Sequence, residues 1–267
     1  MIYNVLSIAG SDPSGGAGVQ ADLKTFSARG TYGMAVLTAL TAQNTHGVSS
    51  VHAVPAEFVA EQIGMVFADI RVDAVKIGMI ANAPIAEAVA KALLPHRGIP
   101  IVLDPVMIAK GGAALLDIEA IGFLKTRLLP LATLLTPNLP EAAALLAEQV
   151  AGTRDAMEWQ AEKLRALGPS AVLVKGGHLG GVESPDVLIS ESKITWFEAP
   201  RVPTKNTHGT GCTLSSALAA ELAKGRSLEA AVATAKDYLA AAVAGAGTLS
   251  VGSGHGPVQH FHELWAG

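Results

Sequence analysis

The sequence predicts an α/β fold: a central, mostly parallel sheet covered by helices on both faces, with an antiparallel hairpin at one edge. Two patterns lead there. Short apolar runs alternate with alanine-rich helical stretches along the chain, the order expected of parallel strands joined by crossover helices. Between Asp186 and Glu198 the pattern changes to two apolar runs close together, which suits a hairpin. Half of the 267 residues are hydrophobic, enough to bury the core of one large domain spanning residues 1–267.

The strand runs, in order, are Val5 to Ala9, Met34 to Thr41, Ala74 to Ile77, Ile101 to Asp104, Thr133 to Thr136 and Ala171 to Lys175. Val187-Leu188-Ile189 and Ile194-Thr195-Trp196-Phe197, separated by Ser190 to Lys193, form the hairpin. Among the helices, Phe58, Val59, Gln62, Ile63 and Val66 keep a stripe that is apolar except at the glutamine, and Leu214, Ala217, Leu218 and Leu222 repeat the spacing. No fixed-period repeat or low-complexity segment interrupts the series.

Charge and cysteine content narrow the partners. Charged residues make up 16% of the chain and the formal net charge is −4, so no basic footprint for nucleic acid exists. A single cysteine, Cys212, excludes an internal disulfide and a multi-cysteine metal site and fits a reducing, cytoplasmic compartment. The N-terminus has no positive region ahead of its apolar stretch, and no uncharged apolar run is long enough for a bilayer. The expected partner is a small molecule, with no membrane.

In open parallel sheets, ligands bind outside the carboxyl ends of the strands. Residues of chemical interest follow the runs there: Ser11 to Gly18, Gln43, Gly78-Met79, Asp104-Pro105-Val106, Thr136-Pro137-Asn138, Lys175 to His178 and Gly209-Thr210-Gly211-Cys212. Gly16-Ala17-Gly18-Val19-Gln20-Ala21 matches a dinucleotide fingerprint. Five residues separate it from the strand, however, and the second strand ends in Thr41-Ala42-Gln43 without the carboxylate that a ribose needs. The glycines suit a backbone that approaches a small ligand closely.

Gly209-Thr210-Gly211-Cys212 precedes the apolar helix Thr213 to Ala223. Its N–H groups converge where the helix dipole is positive, an anion hole of the kind a transferring phosphoryl group requires. No Walker-type loop occurs. Cys212 in the first turn, where a thiol's pKa falls, is the candidate base; a small buried thiol is the plainer alternative. Asn138-Leu139-Pro140-Glu141 reads as a capped helix start with a capping box. Asp104, a carboxylate ending a strand on the ligand side, needs a partner; with Glu141 it can hold a hydrated magnesium ion bridging ATP phosphates. Lys175, followed by Gly176-Gly177, suits a cation reaching phosphate oxygens. His260-Phe261-His262 reads as a solvated tail.

Taken together, these motifs resemble the hydroxymethylpyrimidine and phosphohydroxymethylpyrimidine kinases of the ribokinase superfamily. The resemblance runs from about Val5 to about Gly256, through Ile8 to Asp12, Ser14 to Lys24, Thr38 to Thr45, Lys76 to Met79, Asp104 to Val106, Thr136 to Glu141, Lys175 to His178 and Asn206 to Cys212. It implies a three-layer α/β/α fold, ATP and Mg2+ as cofactors, phosphorylation of a primary alcohol and then of its monophosphate, and commonly a homodimer. It also implies that Gln43 reads the pyrimidine while Asp22, Met79 and Val106 line its pocket, and that Asn138 and Thr210 attend the nucleotide. Ile108 to Gly112 reads as a lid over the phosphates. Some pyridoxal kinases share the cysteine at the base position, which keeps a pyridoxal kinase as the alternative; a pyrimidine-binding protein without turnover is the other.

Overall fold

The computed structural model describes residues 1–107, 118–191 and 193–265. Nine strands form one sheet in the order β3-β2-β1-β4-β5-β6-β7-β8-β9. They are β1 (Asn4–Ser11), β2 (Tyr32–Asn44), β3 (Gly47–Ala53), β4 (Ala74–Ile77), β5 (Ile101–Leu103), β6 (Leu134–Leu135), β7 (Ala171–Lys175), β8 (Asp186–Ser190) and β9 (Lys193–Phe197). The strands from β2 to β7 pair in parallel. The antiparallel pairs lie at the two edges, β3 on β2 and the β8–β9 hairpin on β7.

Period-two alternation divides each strand between two cores. Leu6, Ile8, Val75, Ile77, Ile101, Leu103, Val172 and Val174 face one side, under α2 (Ala56–Asp69), α3 (Ala83–Leu93), α4 (Ile118–Phe123), α5 (Leu139–Leu146) and α6 (Arg154–Arg165). Val5, Ala74, Val102, Leu134, Ala171 and Leu173 face the other, under α1 (Gly18–Ala28), α7 (Thr210–Ala223) and α8 (Leu228–Ala244). This is the expected three-layer arrangement. The expected capping box is present: the Asn138 side chain accepts from Glu141 N, and the Glu141 side chain accepts from Asn138 N.

Three readings of the sequence need correction. The strand β3 was not anticipated, because as an exposed edge strand Gly47–Ala53 carries no apolar alternation. The helix α7 begins at Thr210, with Gly209 as its cap, so Gly211 and Cys212 lie inside its first turn. The segment His260 to His262 is not a solvated tail. His260 is 3% exposed, its carbonyl accepts from Tyr238 Oη at 2.6 Å, and its Nε2 lies 3.2 Å from Thr213 Oγ1. The lid expected at Ile108 to Gly112 lies outside the described residues.

Burial pushes the His260 imidazole down to about 4, with the charge of Lys24 adding to it. The unfolded chain, with an ordinary histidine near 6.5, therefore takes up this proton first. Stability from this group is complete above about pH 6.5 and drains away as pH falls toward 4, by about 1.4 kcal/mol per pH unit. Urea unfolding at pH 7 and pH 4.5 should show His260→Gln losing roughly 2–3 kcal/mol less between the two than the wild type.

Candidate active site

The carboxyl ends of the central strands, the turn before α7 and the start of α5 meet around a cleft of about 410 Å³. A second cleft of about 360 Å³ adjoins it. Asn138, Lys175, His178, Thr207, Thr210 and Gly211 line both. The first also has Asp104, Val106, Glu141, His208, Gly209 and Cys212 in its wall. The second is closed by apolar Ala199, Pro200, Val202, Leu214, Leu239 and Val243.

Gly209 is where the chain's choice of residue is most constrained. Its φ of +79° is left-handed, and a Cβ there would lie 1.8 Å from the carbonyl oxygen of Gly16. Gly18, at φ +57°, is similar, with a Cβ position 2.3 Å from the Gly10 carbonyl oxygen. Two loops therefore pass each other backbone to backbone. Side chains fasten them: His208 Nε2 sits 2.7 Å from Asp12 Oδ2, which also accepts from Ala17 N at 2.8 Å. Burial works against ionised Asp12, yet hydrogen bonds from His208 and Ser14 hold its carboxyl below the usual range. The imidazole nitrogen facing it is thus the donor.

At the other side of the turn, Lys175 Nζ donates to Asp104 Oδ1 at 2.8 Å and lies 3.9 Å from Glu141 Oε2. Thr136 Oγ1 reaches Asp104 at 3.2 Å. Burial pushes Glu141 up to about 7; Lys175 opposes the rise and Asp104 adds to it. Burial alone would lower Lys175, but Asp104 and Glu141 hold it above its ordinary value. Two carboxylates and one ammonium share the spot, so its net charge favours a further cation. Among the described residues no group of three or more metal-ligating side chains gathers. The oxygen-only pair fits an ion that keeps most of its waters, as Mg2+ does.

Of the residues expected at the site, Cys212, Gly209, Thr210, Gly211, Lys175, Asp104, Glu141, Asn138 and Val106 are together in the first cleft. Gln43 is half-buried beside it, its Nε2 3.4 Å from His208 Nε2. Met79 is 7% exposed and, like Gln43, absent from both cleft walls; its carbonyl accepts from Thr38 Oγ1 at 2.6 Å. Asp22 is a correction. It is fully buried, absent from both cleft walls, and taken up by Lys76, Ser7 and Ser216. The expectation of a low thiol pKa at Cys212 also fails: burial pushes this thiol up to about 11. Lys76 and the Gly18 N–H pull it down, and Asp22 and Asp104 push it up again. Sequence reasoning gave Asp12, His208 and Lys76 no role of their own, although all three lie in motif stretches it singled out. Lys76 also carried a physical signal, a charge inside the apolar run Ala74 to Ile77, which must find a counter-charge.

Comparisons with known proteins follow the same line. A family model described as phosphomethylpyrimidine kinase matches residues 12–259. A hydroxymethylpyrimidine/phosphomethylpyrimidine kinase of Salmonella typhimurium is 56% identical over 262 residues, covering 98% of this chain and 98% of that protein. A thiamine biosynthesis bifunctional protein of Geobacter sulfurreducens is 51% identical over 257 residues, 96% of this chain and 52% of that one. Among solved structures, an ADP complex of Bacillus subtilis pyridoxal kinase superposes with a TM-score of 0.89 at 36% identity, over 97% of this chain and 98% of that one.

The glycine contact makes a controlled comparison possible. Gly225 has nearly the same φ, +78°, with nothing within 4 Å of its Cβ position. Gly225→Ala should cost about 1 kcal/mol of backbone strain and leave turnover unchanged. Gly209→Ala should cost about 3 kcal/mol or more and lower turnover at least a hundredfold, because a methyl group there forces the two loops apart. Thermal unfolding and steady-state rates of the two variants check this.

Proposed function

The chain belongs to the phosphomethylpyrimidine kinase family, and on that premise we propose that one site phosphorylates 4-amino-5-hydroxymethyl-2-methylpyrimidine and then its monophosphate, using ATP. The product is the diphosphate that thiamine biosynthesis consumes. The observation that carries this reading is the pair of clefts meeting at the Gly209–Cys212 turn. The apolar side chains of the second cleft, Ala199, Pro200, Val202, Leu239 and Val243, suit a nucleotide base, the first cleft suits the acceptor, and phosphoryl transfer takes place where they join. A pyridoxal kinase reading rests on a structural relative of lower identity.

The N–H groups of Gly211 and Cys212, in the first turn of α7, have no preceding turn to satisfy them and can receive phosphoryl oxygens. Lys175, whose Nζ lies 3.5 Å from the Cβ position of Gly211, adds charge there. Asp104 and Glu141 would hold Mg2+, directly or through water. When bound, the ion neutralises charge on the phosphates. Cys212 as thiolate takes the hydroxyl proton: the S–H bond forms as O–H breaks, the oxygen's electron pair makes the new O–P bond, and ADP departs with the old one. Gln43 offers an acceptor and two donors to the aminopyrimidine edge. The same reading makes the enzyme a cytoplasmic homodimer, which sedimentation at several concentrations tests for its oligomeric part.

Side-by-side rates on the hydroxymethylpyrimidine, its monophosphate and pyridoxal test the assignment. Both pyrimidines should turn over, with a preference over pyridoxal of roughly tenfold or more from the Gln43 amide. A preference for pyridoxal would overturn the substrate, and no reaction with the monophosphate would reduce the chain to a single step. For the base, Cys212→Ala should lower turnover by about 10² to 10⁴ fold. With a thiol titrating near 11, the wild-type rate should climb with pH through the neutral range. Cys212→Asp, already ionised there, should flatten that climb.

A further inference from the structure

Beneath the first turns of α7 lies a buried charge pair that the chemistry above does not use. Lys76 is in the middle of β4 and fully buried. It projects to the same face as Ala74 and is the register partner of Ser7 on β1. Its Nζ lies 2.9 Å from both oxygens of Asp22 on α1. Asp22 accepts in addition from Ser7 Oγ at 2.6 Å and from Ser216 Oγ of α7 at 2.7 Å. Four elements thus converge on one carboxylate.

Asp22 is saturated, and Lys76 is not. An ammonium has three donors, and among the described residues both oxygens it meets belong to Asp22. Gly78 leaves it clearance, since a Cβ there would come within 2.7 Å of Nζ. Ser216 is one helical turn after Cys212 on the same face, so the pair lies below the thiol. A buried ion pair is a poor source of stability compared with apolar side chains of similar volume. Its place under the reactive turn calls for another explanation.

We propose that Lys76, anchored by Asp22, is a positioning residue of the reaction: its charge favours the thiolate of Cys212 over the thiol. The proposal deepens the base reading of Cys212 and rests on it for its catalytic meaning. Besides Lys76 on β4 and Asp22 on α1, the groups that bear on the thiol are the Gly18 N–H, Asp104 at the end of β5 and Lys175 on β7. Of the side-chain charges acting on the thiol, Lys76 is the largest and Asp22 the next, with opposite signs.

Cys212 is the single cysteine of the chain and is only partly buried, so a thiol titration reports on it alone. The experiment follows alkylation by iodoacetamide and far-ultraviolet thiolate absorbance against pH, in magnesium-free buffer without substrate. Lys76→Met should shift the midpoint upward, slowing alkylation at fixed pH by about tenfold or more. Asp22→Asn should speed it, a change of sign that mere loosening of the fold at both positions would not give. Should Lys76→Met fail to fold, the double variant K76M/D22N leaves no lone buried charge and should show a smaller upward shift. An unchanged midpoint in a folded Lys76→Met or double variant overturns the proposal. Wild-type turnover in Cys212→Ala would instead overturn the base reading while leaving the titration to judge the pair.

Discussion

The contact between Gly209 and the carbonyl of Gly16 leaves no room for a methyl group, and the geometry of the site follows from it. Because the two backbones touch, the first turn of α7 sits directly over the end of β1 and the start of α1. His208 is then brought onto Asp12, Cys212 comes under the Gly18 N–H, and Gly211 lies against Asp104 and Lys175. A helix start aimed at a cleft is a common anion site. Here a second loop packs against one side of it, and burial raises the influence of each nearby charge.

Around that turn, charge is distributed in pairs rather than singly. Asp12 has His208, Asp22 has Lys76, and Asp104 with Glu141 shares Lys175. Each pair ties loops or helices from different strands, so the pairs order the carboxyl end of the sheet as well as neutralise it. The exception is informative. Asp104 and Glu141 hold one ammonium between two carboxylates, and burial leaves Glu141 up near 7. That imbalance is what an incoming cation would relieve, whereas the Asp22–Lys76 pair is balanced.

Much of this was legible in the residues. The strand runs from Val5 to Lys175 stood out because strands buried on both faces are apolar almost throughout, and the Asn138–Glu141 cap was readable because its hydrogen bonds are local. Asp104, Val106, Asn138 and Lys175 of the first cleft were found by their place just after strands. The failures share one cause. Asp22 was assigned to a pocket wall, His260 to solvent and Cys212 to an acidic thiol, and in each case burial by distant chain decided otherwise. The edge strand β3 escaped because both its faces are largely exposed and it needs no apolar pattern.

The sequence by itself determined the layer order, the mostly parallel sheet and the end of it that carries the chemistry, since periodicity and strand-end position depend on neighbours a few residues away. Only the tertiary structure decided which charges pair and how strongly each group holds its proton. Asp12 and His208 lie 196 residues apart, and Ser216 lies 194 from Asp22. Desolvation, which sets the state of Cys212, Glu141 and His260, is a property of everything packed around a group, and no local stretch of sequence records it.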